Sequence, residues 1–260
     1  GFGPRRLGHA NLFVRDLEAA ARFYNTVCGI EEVRREPGIA ACFLSNGNTH
    51  HDVATMEIGE SDRKGIDGYV QVDTSRMRRP GLNHLGWEME TEAALVYGYR
   101  AAKAAGVDIF RTSDHQISHS VYLFDPEGNQ MEFYADAMED WRTVFNPDRE
   151  DLVTSAWEPE AKPPSLAPLY DAEPSLRRVA DGLFHSLRIT RAALVARDIE
   201  AMSRFYCEVA GLEICAQSSD RKTRCLRGTS SVLDLILFEA SEDLEPGDRK
   251  STRLNSSHQI

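Results

Sequence analysis

From Leu7 to Val14 (LGHANLFV) the polar His9 and Asn11 are set among apolar residues, a strand candidate. The spacing then becomes helical over Leu17, Ala20, Ala21, Phe23, Tyr24 and Val27, so one side of a helix should lie on a sheet. Asp16 is placed to cap that helix and Gly29 to end it. Three extended stretches follow, Glu31 to Arg35, Ile39 to Leu44 and His50 to Ile58, with Asn46-Gly47-Asn48 as the turn before the last. The resulting order, βαβββ, recurs. Leu82 to Met89 reads as a strand, Thr91 caps a helix from Glu92 to about Ala105, and Gly106 stops it. The closing strands of this second unit lie in His119 to Tyr134 (HSVYLFDPEGNQMEFY), where Asp125-Pro126-Glu127-Gly128-Asn129 is turn chemistry between two β-forming stretches.

A third copy opens at Ile189. ITRAALVARDIEAMSRFYCEVAGLE matches LGHANLFVRDLEAAARFYNTVCGIE at a constant offset of 182 residues, pairing Asp198 with Asp16 and Gly211 with Gly29. Such repetition outranks local signals. It predicts an α+β fold in which tandem βαβββ modules form a half-open, curved sheet with helices outside. Residues 1–135 would hold two modules, 136–186 a proline-rich linker, and 187–247 one module of a partial second domain. Pro159, Pro163, Pro164, Pro168 and Pro174 set the character of the linker, while Trp141, Phe145 and Trp157 suggest that parts of it pack back. Residues 248–260 are set aside: Asp248 to His258 (DRKSTRLNSSH) looks like a translated sequencing adapter, which would leave a fourth module missing. Gly59 to Pro80 is too long for an ordinary connection and reads as either a substrate-covering loop or a disordered one.

With 260 residues, 42% hydrophobic and 27% charged, the chain is globular. A net charge of -11 without a dense basic patch argues against nucleic acid as a partner. Five scattered cysteines without CxxC spacing suggest neither a disulfide framework nor a zinc knuckle and fit a reducing compartment. No run of about 18 apolar residues occurs, so a cytoplasmic protein without a membrane partner is expected.

The chemistry concentrates on three residues. Alternation puts Gln130, Glu132 and Tyr134 on one face of their strand, and a partly buried carboxylate such as Glu132 needs a cation or strong donors. His9 and His84 occupy matching places on the opening strands of the first two modules. One strand histidine is more often a half-buried polar residue than a ligand, but equivalent positions in two repeats change that balance. Two imidazoles and one carboxylate with open positions are the pattern of non-haem Fe(II) oxygenases. Aligning Gly47-Asn48 with Gly128-Asn129 places His51 where Glu132 stands, either as a fourth ligand or as a proton-transfer group; His50, off by one in parity, should face away. The third module has Arg191 in place of His9, which points to a metal-free unit.

With these residues, the chain resembles the vicinal oxygen chelate superfamily. His115, Val121-Tyr122, Asp125-Pro126-Glu127-Gly128 and Glu132 are similar to the signature of its type I extradiol ring-cleaving dioxygenases, with Ser113 departing from the usual choice. The resemblance implies His9, His84 and Glu132 as metal ligands, His51 as acid/base, and His115 and Tyr122 as hydrogen-bond partners of substrate. It implies Fe(II), or alternatively Mn(II), as cofactor, a catechol-like diol and O2 as substrates, and a homo-oligomer. Two rival expectations share the scaffold: a glyoxalase-like isomerase or lyase using Ni(II) or Zn(II), and a non-enzymatic protein that binds or sequesters a small aromatic.

Overall fold

The computed structural model describes residues 1–64, 68, 70–146 and 154–241. The first module comprises β1 (Arg6–Val14), α1 (Leu17–Arg22), β2 (Glu31–Glu36), β3 (Ala41–Ser45) and β4 (Val53–Glu57), and a short hairpin, β5 (Arg63–Lys64) and β6 (Val70–Val72), follows. The second comprises β7 (Gly81–Glu88), α2 (Glu92–Ala104), β8 (Ile109–Asp114), β9 (Ser118–Phe124) and β10 (Gln130–Asp136), with β11 (Ser155–Ala156) after it. The third is β12 (Ala192–Ala196), α3 (Ile199–Glu208), β13 (Glu213–Gln217), β14 (Thr223–Arg227) and β15 (Leu235–Glu239).

The same local chemistry starts and stops each helix. Asp16, Thr91 and Asp198 accept hydrogen bonds from the backbone N–H three residues on, at 2.9, 3.1 and 2.8 Å. Gly29, Gly106 and Gly211 follow with φ of 74°, 73° and 79°, the left-handed conformation that glycine adopts without a Cβ penalty. α1 does not run regularly to Val27 as its apolar spacing suggests: Phe23–Val27 widens into a π turn.

In every module the helix crossover makes the first strand parallel to the last, β1 with β4, β7 with β10 and β12 with β15. Antiparallel pairing of β1 with β7 then fuses the first two modules into one strongly curled half-barrel, ordered β11-β8-β9-β10-β7-β1-β4-β3-β2. The opening strands of both modules therefore lie side by side at its centre. On the helix-bearing face Leu85, Trp87, Met131 and Phe133 are fully buried, each contributing roughly 1.5–3 kcal/mol. The opposite face carries a second apolar cluster that includes Phe13, Phe43, Met56, Ile117 and Phe145.

The third module shares the first of these cores. Ile199, Met202 and Tyr206 of α3 join Trp87 and Met131, and Leu7 N donates to Asp234 Oδ1 at 2.8 Å. In the insertion between the first two modules, Val72 and Met77 are buried in the second cluster, and Arg76 Nη2 donates to Asn83 O at 2.8 Å. Trp141 and Phe145 are buried there too, and Trp157 stacks on His119 with ring centres 4.6 Å apart. The tail at 248–260 lies outside the described residues.

Candidate metal centre

His9 on β1, His84 on β7 and Glu132 on β10 project from three consecutive strands of the half-barrel. The register sets His9 opposite Gly86, and Gly86 opposite Glu132. Gly86 thus separates the two side chains across β7 and leaves room for the ring: a Cβ there would sit 2.1 Å from His9 Nε2. Oε2 of Glu132 lies 2.9 Å from Nε2 of His9 and 2.9 Å from Nε2 of His84. Their ligand atoms all lie within 4.8 Å of one another, and the three residues are buried.

Glu132 is anionic. Burial works against its charge, but the neighbouring His9 and His84 outweigh that and hold the carboxyl well below its ordinary range. Ser120 Oγ donates to Oε1 at 2.6 Å and fixes the carboxylate plane. His84 is pushed down to about 4 by burial, in spite of Glu132, so its ring is neutral, the form that ligates. Nε2 of His84 is buried and shares Oε2 of Glu132 with Nε2 of His9, each at 2.9 Å. Two imidazole nitrogens and a carboxylate oxygen converging on one buried point fit a divalent cation, and as a ligand set they leave coordination positions open.

The other predicted residues surround this point. His51 Nε2 donates to Asn11 Oδ1 at 3.1 Å, which leaves Nδ1 to accept from His50 Nδ1 at 2.7 Å. Burial, then His9 and His50, depress the His51 pKa well below its ordinary value. His115 Nδ1 shares a hydrogen bond of 2.8 Å with Thr154 Oγ1, and its Nε2 shares one of 3.0 Å with the Tyr122 hydroxyl. Burial pushes the His115 pKa down to about 4. Asn11, His51, His84, His115, Tyr122 and Glu132 all line one pocket with about 570 Å³ of atom-free space, mouth included. Phe43, Met56 and Phe145 supply apolar wall.

One expectation fails. His50 does not face away; it is 2% exposed, bonded to His51 and in edge contact with Tyr134, ring centres 5.0 Å apart. Strand parity does not apply to it, because β4 starts only at Val53. The preceding loop is folded by Asp52, whose N–H donates to Leu44 O and whose Oδ2 accepts from Asn46 N, both at 2.8 Å. Sequence reasoning also passed over Ser120 and Thr154. Ser120 could have been found, since it shares a strand face with Tyr122. Thr154 carries no signal: it reaches His115 from a segment without repeat or motif.

A curled sheet of paired βαβββ modules with histidines and an acid at its centre defines a vicinal oxygen chelate protein. Over residues 6–133 the chain belongs to the Glyoxalase/Bleomycin resistance protein/Dioxygenase superfamily. It is similar to biphenyl-2,3-diol 1,2-dioxygenase 3 of Rhodococcus globerulus, at 29% identity over 76% of this chain and 95% of that one. It is also similar to the catechol-2,3-dioxygenase of Bacillus subtilis, at 24% identity over 80% of this chain and 65% of that protein. Among solved structures, the 2,3-dioxygenase LapB of Pseudomonas sp. KL28 superposes with a TM-score of 0.60 at 17% identity, over 94% of this chain and 73% of that one. A Mn(II)-bound glyoxalase of Novosphingobium aromaticivorans gives the same TM-score, 0.60, at 14% identity, over 91% of this chain and 62% of that chain. Both structural likenesses concern the fold. No helix among the described residues is long and apolar enough to cross a membrane.

Proposed function

We propose that the protein is an extradiol dioxygenase that opens the ring of a catechol-like diol with O2, using Fe(II) held by His9, His84 and Glu132. The observation that carries this reading is the convergence of two buried imidazoles and one carboxylate at a pocket, with proton-transfer groups beside them. Fe(II) bound there would offer open positions to both diol oxygens and to O2 and pass charge between them.

The chain's own residues do the rest. Neutral His51 can take a proton from a diol hydroxyl at Nε2 once its hydrogen bond with His50 reverses, so that Nδ1 carries the ring hydrogen and the bound hydroxyl replaces the Asn11 amide oxygen. His50 holds the His51 ring from behind, and the direction of the hydrogen bond they share sets which nitrogen carries hydrogen. Tyr122 and His115 are hydrogen-bonded to each other on the other side, and Thr154 keeps the His115 ring aimed at Tyr122. Phe43, Met56 and Phe145 exclude water from the ring carbons. Similarity to a biphenyl-2,3-diol dioxygenase over most of the chain supports the reaction class.

The test is to load the protein anaerobically with Fe(II) and mix it with aerated catechols, following the visible absorbance of a ring-opened product and oxygen uptake. Turnover with one oxygen consumed per ring is expected. Full iron occupancy without product from any catechol would refute the reading.

A further inference from the structure

Two cysteines that the proposed chemistry does not use meet on the third module. Cys215 lies on β13 and Cys225 on β14, and the two strands pair antiparallel. Glu213 faces Arg227 and Ile214 faces Leu226, so the unbroken register would set Cys215 opposite Cys225. Ala216 takes that place instead, which makes a β-bulge with Cys215 and Ala216 together opposite Cys225. The bulge keeps the two cysteines in contact: Cys215 Sγ donates to Cys225 O at 3.3 Å. Burial, and after it the neighbouring Cys215, push the Cys225 thiol up.

Their surroundings differ in the way that a two-step thiol reaction requires. β13 is an edge strand among the described residues, every residue of it is exposed, and Cys215 is open to solvent. Cys225 is half-buried behind it. Leu226, next in the strand, is fully buried in the shared core, so alternation turns Cys225 to the opposite face, where a bond would leave the core intact. Residues opposed across an antiparallel ladder have Cα atoms about 4.5–5.5 Å apart, within the span of about 4.4–6.8 Å that a disulfide bridges. The other cysteines have no such partner. Cys42 lies opposite Arg35 and Thr55 in its ladders, and Cys28 and Cys207 lie outside the strands.

We propose that Cys215 and Cys225 form a thiol–disulfide modification site whose reactant is a low-molecular-weight disulfide of the glutathione class. The site is independent of the metal centre. The Cys215 thiolate attacks one sulfur of the small disulfide, which forms a mixed disulfide and releases one small thiolate. The Cys225 thiol then loses its proton and attacks the Cys215 sulfur, which closes the protein disulfide and releases the second small thiolate. Two protein thiols are oxidised, one small disulfide is reduced to two thiols, and both protons pass from the protein to the leaving groups. The bond staples an edge strand onto the module whose Tyr206 meets Asp125.

The test treats the full chain, loaded with metal and kept free of oxygen, with oxidised glutathione in the absence of denaturant, and reads intact mass and peptide maps. The parent should lose the two thiol hydrogens and yield one linked peptide pair, Cys215 with Cys225. Cys225→Ser should stop at the mixed disulfide, gaining one glutathione on Cys215. Cys215→Ser should leave Cys225 unmodified at the same dose. Amide exchange over β13 should slow about threefold or more when the bond forms, a change that the glutathione adduct of Cys225→Ser should not reproduce. Glutathione retained on both cysteines of the parent, or a link from either one to a different cysteine, would overturn the assignment. So would a parent that does not react.

Discussion

The ring of His9 occupies the space that a side chain on Gly86 would fill. That makes the strand partner of His9 as exacting as a ligand, because β7 runs between β1 and β10 and any Cβ at 86 meets Nε2 at 2.1 Å. The prediction concerns Gly86→Ala, which keeps every donor atom. It should lower affinity for a divalent ion at least a hundredfold while retaining the β-rich circular dichroism of the parent. Titration with Fe(II) or Mn(II) followed by metal analysis reads this, and unchanged affinity would show that the ring has somewhere else to go.

Replacing Glu132 by Gln removes the only anion among the three donors and leaves Ser120 facing an amide. Metal stoichiometry should fall well below one per chain. Chelation of the parent should reproduce the loss and lower the melting temperature, since an ion that binds only the folded state stabilises it by mass action. A chelated protein that melts at the same temperature would count against the site.

His51→Gln should separate binding from chemistry. Metal content should persist, because Oε2 of Glu132 and both Nε2 atoms are untouched, while kcat falls about 10²–10⁴-fold, the usual worth of a general acid or base. The pH profile follows from direction alone. Burial depresses the pKa, so the neutral, proton-accepting form persists below the ordinary histidine value. The acid limb of kcat/KM in the parent should therefore lie below about pH 6.5. An acid limb above 7 would exclude this histidine as the base.

His119 responds in the opposite sense. Burial opposes its charge, but hydrogen bonds to Asp114 and Glu92 outweigh that and raise its pKa. Its Nδ1 donates to Glu92 Oε1 at 2.6 Å, the other oxygen of Glu92 accepts from Ser165 N at 2.7 Å, and Trp157 stacks on the ring. A folded pKa above the unfolded one means that the stabilisation is complete at low pH and fades as pH rises through the folded value. Trp157 should thus become more quenchable by acrylamide as pH rises above the ordinary histidine pKa of about 6.5. His119→Gln should abolish that dependence.

Much of this architecture is legible in the residues themselves. The caps at Asp16, Thr91 and Asp198 and the stops at Gly29, Gly106 and Gly211 are local chemistry, and repetition reveals them three times over. His9, His84 and Glu132 can be found because strand alternation and module equivalence fix both face and place. His50 could not be placed, because parity holds only within a strand and the loop that turns it inward is built by Asp52 and Asn46. Gln71 and Thr154 come from segments outside the repeat, where position in the chain carries no information about position in space. They enter the pocket through tertiary packing alone.

The hydroxyl of Tyr206 meets Asp125 Oδ2 at 3.0 Å, and Asp125 Oδ1 in turn accepts from Glu127 N and Asn129 N at 3.0 and 2.9 Å. The turn that launches the acid's strand is thus buttressed from a repeat that contributes no donor of its own. A chain cut short before that repeat would keep every ligand in its sequence and lose the strut that holds one of them at its post.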